Sequence, residues 1–214
     1  MSAKRGPPFR AEHLGSLLRP QKLLDVRHKV DEGKEQRTAL KGPEDDAIAE
    51  VVKVQEECGF HAPSDGEYRR HMFWGSFFPS LNGMKEIHGV DPVIFRQYAP
   101  DIAAFLEEEH VPGETVICEG KISHPGTSTY IPEFEYMKKQ VPKEQWGNIK
   151  LTLAAPNWYH FRYVEGKAYP PEVYKNDEEY FADIAKAYQQ ELKILYDAGL
   201  RNAQVDDPNL ACKC

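Results

Sequence analysis

The chain has 214 residues, 41% of them hydrophobic, with 24 aromatics (3 Trp, 11 Tyr, 10 Phe), enough to bury the core of one large domain or two small ones. Its net charge of −7 argues against general nucleic-acid binding, which relies on basic surfaces that displace counterions. No apolar run approaches the ~20 residues that span a bilayer, and MSAKRGPPFR lacks the apolar stretch of a secretory signal, so no membrane partner and a cytoplasmic location are expected.

In chain order, residues 1–8 read as a flexible arm and the domain as 9–214. Phe9–Leu14 alternates like a short strand and runs into a Gly15-Ser16 turn. A helix is expected around Gln21–Val30. A second starts at Pro43, whose missing N–H costs nothing there, is favoured by Glu44, Asp45 and Asp46 at its positive end, and stops at Gly59. Phe60–Pro63 is a brief extended segment. Residues 71–90 are rich in aromatics and glycine, suited to core packing or to lining a cleft.

Asp91–Glu109 is partly helical, with Pro100 as a break or new start. Thr115–Cys118 is a β-branched strand signal, Ile131–Gln140 a helix, and Asn148–Ala155 a buried strand. Tyr159, Phe161 and Tyr163 alternate on an aromatic stretch. The strongest helix is Asp177–Ala198, capped by Asn176 or Asp177, and Arg201–Val205 is a final strand.

Four cysteines at 58, 118, 212 and 214 contain no CxxC pair, so neither a disulfide framework nor a zinc ribbon is indicated. Cys58 reads as a small buried hydrophobe. Cys212 and Cys214 form a terminal CxC, and two thiolates fall short of four zinc ligands.

Ser64-Asp65-Gly66-Glu67-Tyr68-Arg69-Arg70 crowds two carboxylates and two arginines around a glycine turn. Gly66 can adopt backbone angles closed to other residues and so aim Glu67 out of a strand end. A carboxylate presented this way suits a substrate ammonium or a proton transfer. Similar polar clusters end other strands: Gly15-Ser16, Ser123-His124-Pro125, Pro156-Asn157 and Asp206-Asp207-Pro208. Strands alternating with helices imply a parallel α/β fold with its site at the strand ends. About five β/α units are counted where a closed barrel has eight.

Three motifs in this order, His13-Leu14-Gly15-Ser16-Leu17-Leu18-Arg19-Pro20, Ser64 to Arg70, and Gln204-Val205-Asp206-Asp207-Pro208-Asn209-Leu210-Ala211, together resemble the catalytic domain of the cobalamin-independent methionine synthases, particularly its shorter stand-alone relatives. The resemblance implies a (β/α)8 TIM barrel, here incomplete. It implies zinc-dependent transfer of a methyl group from 5-methyltetrahydrofolate, in its polyglutamate form, to the homocysteine thiol in methionine biosynthesis. It places Gly15 and Ser16 in the loop that holds the amino-acid part of homocysteine, Glu67 on its ammonium, and Asp206 beside it.

The family's zinc ligands, a His-x-Cys pair, a Glu and a Cys, come from later strands and have no matching positions here, so no metal residue is assigned. Trp158 lies near the family's folate-contacting tryptophan at a different spacing, and with Asn157 and His124 it is a candidate lining of the cleft. The expected partners are an amino acid or thiol and a methylated folate, with self-association through open barrel edges. A truncated chain that only binds an amino acid or a protein partner, and a thiol alkyltransferase with another donor, are the alternatives. A third reading pairs Glu67 with His124 as acid and base.

Overall fold

The helices form where the apolar spacing places them. In this computed structural model, which describes residues 11–107 and 114–208, α1 covers Gln21–Asp31 and α2 covers Lys41–Glu57. The second helix begins two residues before Pro43, since a preceding 3-10 turn at Arg37–Leu40 runs directly into it. It still ends at Gly59, with φ +77°. Then come α3 (Phe77–Ser80), β1 (Asn82–His88), α4 (Pro100–Glu107), β2 (Glu114–Ser123), α5 (Ile131–Gln140), β3 (Lys150–Ala154), α6 (Trp158–Arg162), α7 (Asp177–Asp197) and β4 (Asn202–Asp206). The cap of α7 is Asn176, whose side-chain oxygen accepts from the Glu179 N–H at 2.9 Å.

The chain divides into two compact units. Among the described residues, the first comprises 11–73, 131–152 and 199–204; the second comprises 74–107, 114–130, 153–198 and 205–208. In the first, α1 packs on α2, and Leu23, Ile48, Val52, Phe134, Met137 and Ile149 form the buried core. In the second, β1 and β2 form an antiparallel ribbon against α7, over an aromatic core that includes Trp74, Phe77, Phe78, Tyr159, Tyr180 and Tyr188. Phe77 and Phe78 meet Tyr188 edge-on at 4.8 and 5.9 Å, the offset geometry that ring quadrupoles favour.

An α/β fold is present, but five parallel β/α units are not. Among the described residues there are four strands in two two-stranded sheets, β1–β2 and β3–β4, and no closed barrel. β3 and β4 run in the same direction: Asn148 O accepts from the Asn202 side chain near their starts, and the Ala155 N–H donates to Asp206 O at their ends.

The missing strands have a local cause. At Ser64 both backbone groups are taken by one side-chain amide: Gln55 on α2 donates to Ser64 O at 2.8 Å and accepts from its N–H at 2.9 Å. Single bonds, Leu17 N to Gly66 O and Lys150 N to Pro63 O, stand where a ladder would run. Residues 11–14 likewise carry no strand, and Lys150 and Gln204 side chains bond the His13 and Leu14 carbonyls. These segments are satisfied by side chains instead of neighbouring strands.

Three further expectations change. The aromatic stretch around Tyr159 is the helix α6, which buries Trp158, Tyr159 and Arg162 together. The strand expected at Thr115–Cys118 is longer: β2 continues through Glu119 and Gly120 to Ser123. Cys58 is exposed, while Cys118 is the buried thiol. The 1–8 arm and the Cys212–Cys214 pair lie outside the described residues, as do Phe9 and Arg10.

Candidate functional site

The geometry of the 64–70 turn begins with its backbone. Gly66 has φ +64° and Glu67 has φ +59°, the only positive φ at a residue other than glycine among those described. Such a conformation costs about 1–3 kcal/mol and persists only where surrounding contacts enforce it. Here the Glu67 N–H donates to Asp65 Oδ1 at 2.9 Å, and Arg19 clamps the carbonyls of Glu67 and Arg70 at 3.0 and 2.8 Å.

The result is a carboxylate turned inward, with Glu67 only 2% exposed. Thr152, from β3, donates its hydroxyl to Glu67 Oε1 at 2.7 Å. Ser16 donates to Oε2, and Arg70 lies 3.6 Å from Oε1. Arg70 also bonds the Thr152 hydroxyl and carbonyl at 3.0 and 2.8 Å, so guanidinium, hydroxyl and carboxylate lock one another in register. Gly15 makes room for this arrangement: a Cβ there would meet Glu67 Oε1 at 3.0 Å.

Behind Arg70 stands a second acid. Glu133 on α5 has a side chain 12% exposed, with one oxygen 4.0 Å from Arg70. Burial pushes its carboxyl up to about 7, against the pull of Arg70. Arg69 points elsewhere and pairs with Asp45 and Glu44 of α2. On the far side of Ser16, His13 stacks on Phe60 at 4.0 Å, and burial together with Lys150 lowers its pKa.

Gly15, Ser16 and Glu67 are thus brought together within the first unit. Asp206, the last residue of β4, falls in the second unit and is half-buried. Trp158, Asn157 and His124 also belong to the second unit. Trp158 is buried 5.7 Å from Trp74, ring to ring, and Arg162 lies 4.9 Å from the Trp74 ring and 5.2 Å from that of Trp158. Asn157 donates to Asp207 at 3.3 Å.

His124 is enclosed, its side chain 1% exposed. Its Nδ1 accepts from the Gly126 N–H at 3.0 Å, which puts the ring proton on Nε2, 2.6 Å from Glu191 of α7. Ser128 donates to the other Glu191 oxygen at 2.5 Å. Both ring nitrogens therefore serve to tie the 124–128 loop to α7.

Thr152 and Arg19 were not singled out in the sequence. Thr152 sits in an apolar strand run, and its spacing of 85 positions from Glu67 gives no local signal. The doublet Arg19-Pro20, after a glycine-serine turn, is the one hint that this arginine is anchored. The second unit also holds a cavity of about 500 Å³, bounded by His88, Asp91, Cys118, Tyr163, Lys167 and Tyr169 among others.

The strained Glu67 carboxylate is braced by hydroxyls from Ser16 and from Thr152 of the buried strand β3, within an α/β fold. No protein-family model matches the chain. It is 32% identical over 207 residues to the uncharacterized protein YxjH of Bacillus subtilis, covering 95% of this chain and 49% of that protein. It is 29% identical over 195 residues to the methionine synthase of Sulfolobus acidocaldarius, covering 91% and 50%. Among solved structures, a putative vitamin-B12 independent methionine synthase from Listeria monocytogenes matches with a TM-score of 0.69 and 28% identity, over 95% of this chain and 53% of that one.

The chain is thus similar to methionine synthases over nearly its whole length. It spans about half the length of the curated relatives it matches.

Proposed function

We propose that the Glu67 turn is the amino-acid-binding element of a methionine-synthase-like methyltransferase, with homocysteine as the acceptor and a methylated folate as the donor, acting in the cytoplasm. The observation that carries this reading is the Glu67 carboxylate itself, buried and held on a positive-φ turn. Nature rarely strains a non-glycine backbone to aim an acid inward unless the acid has a partner to meet. An ammonium would replace the Ser16 hydroxyl on Oε2, since Ser16 is on an exposed loop and free to turn outward. Thr152 and Arg70 would keep Oε1 in place. The Ser16 hydroxyl and the neighbouring loop amides would then serve the substrate carboxylate.

Zinc is the cofactor the family implies, supplying a thiolate from the substrate thiol when bound. The donors gathered on Glu67 are hydroxyls and guanidinium groups, which do not make a zinc site. Of the two described cysteines, Cys58 lies at the end of α2, and Cys118 donates its thiol to Gly120 O with its pKa raised by burial. The residues on this turn therefore bind and orient, and no step of methyl transfer is assigned to them. No helix among the described residues is long and apolar enough to cross a membrane.

The same donor set favours a second reading, a chain that binds an amino acid without turning it over. Calorimetry with L-homocysteine and L-methionine tests the shared element: saturable binding is expected, weakened at least about tenfold in Glu67→Gln. Assay of homocysteine alkylation with a methylated folate then separates the two readings. Binding that Glu67→Gln leaves intact would sink both.

A further inference from the structure

We infer that the end of the β1–β2 ribbon is a divalent transition-metal site built from Glu86, His88 and Glu114. The register places them. In the antiparallel pairing His88 faces Glu114 directly, and Glu86, two residues back on β1, shares their face. Directly opposed residues on one face have Cβ atoms about 4.5–5.5 Å apart, close enough for both side chains to reach one ion. One ligand atom from each of the three lies within 4.8 Å of the others.

The spacing matches the chemistry. Donors about 2.1 Å from a tetrahedral ion lie about 3.4 Å from one another. Glu86 Oε1 and His88 Nε2 are 3.4 Å apart, so these two need no movement, and Glu114 closes the set by a small side-chain rotation. Lys85 cannot neutralise the acids from the same side: it alternates to the opposite face of β1 and pairs with Glu119 at 3.5 Å.

One imidazole and two carboxylates suit zinc or manganese better than magnesium, which keeps its waters, or copper(I), which seeks sulfur. Three protein ligands leave coordination positions open. His88 also borders the 500 Å³ cavity, so an ion held here would stand at its edge. The far end of the same face is closed by Met84 and Cys118, both buried, which fixes the ribbon behind the ligands.

The test uses the full 214-residue protein. Zn²⁺ is titrated by calorimetry, and Mn²⁺, which has little affinity for thiolates, by electron paramagnetic resonance. One equivalent of metal is expected, with affinity falling as the pH is lowered, because a protonated imidazole cannot coordinate. His88→Ala and Glu114→Gln should each weaken binding at least about tenfold. His88 is exposed and Glu114 half-buried, so thermal melting against the parent is the folding control for both variants. Absence of saturable binding by either ion, or wild-type affinity in both ligand variants, would overturn the site.

Discussion

Ser16 donates its hydroxyl to the Glu67 carboxylate across 51 positions of sequence, joining an exposed loop to a buried acid. The loop side of this bond faces solvent and the acid side is enclosed by Thr152 and Arg70. Of the three partners on that carboxylate, Ser16 is the exposed one and Thr152 and Arg70 are buried.

Removing the Glu67 charge should therefore cost binding. A hydrogen bond to a charged group contributes about 1.5–3 kcal/mol, so Glu67→Gln should weaken L-homocysteine binding by roughly tenfold to a hundredfold. Gly15→Ala, whose added Cβ would lie 3.0 Å from Oε1, should also weaken binding by displacing the carboxylate. Calorimetry reads both, with thermal melting as the control for folding.

Stability should fall with rising pH through the Glu133 transition. Its carboxyl titrates near 7 in the folded chain against an ordinary 4.5, so between those values the folded state holds a proton that the unfolded state has released. The contribution is fully present below 4.5 and is lost as the pH rises toward 7, for an upper bound of about 3 kcal/mol. Glu133→Gln should flatten this slope, which urea unfolding at a series of pH values would reveal. An unchanged slope would remove Glu133 as its source.

The His124–Glu191 pair should behave as a structural clamp. Each side chain is at most 1% exposed, and removing one partner leaves the other's polar atoms buried and unmet. A buried hydrogen bond to a carboxylate contributes about 1.5–3 kcal/mol, so His124→Ala and Glu191→Ala should each lower the unfolding free energy by at least about that much, as urea unfolding would measure. A double variant should cost less than the sum of the two, which a mutant cycle would measure.

The two described cysteines should differ in reactivity. Cys58 is exposed at the end of α2, whereas Cys118 is buried on β2 with its pKa raised. Iodoacetamide should label Cys58 in the native protein and Cys118 only after unfolding, as peptide mapping would report.

The sequence by itself determined the longer helices and the position of the turn. Ile131–Gln140 and the Asn176-capped α7 follow from local spacing, since helical bonds join residues four apart. The Asp65-Gly66-Glu67 turn was legible for the same reason: a glycine followed by an acid is a local statement about backbone freedom. Even β3 could be read, because Leu151, Leu153, Ala154 and Ala155 form an apolar run suited to a buried strand.

Only the tertiary structure decided which partners these elements meet. That β1 runs antiparallel to β2, that the Gln55 amide takes both backbone groups of Ser64, and that Thr152 and Arg70 brace Glu67 all depend on residues far apart in the chain. Cys58 shows the same limit, because the exposure of one helix-terminal side chain depends on what packs beside it. Local sequence carries backbone preference and polarity. Pairing is set by the free energy of burying distant faces together, and that is fixed only when the chain has folded.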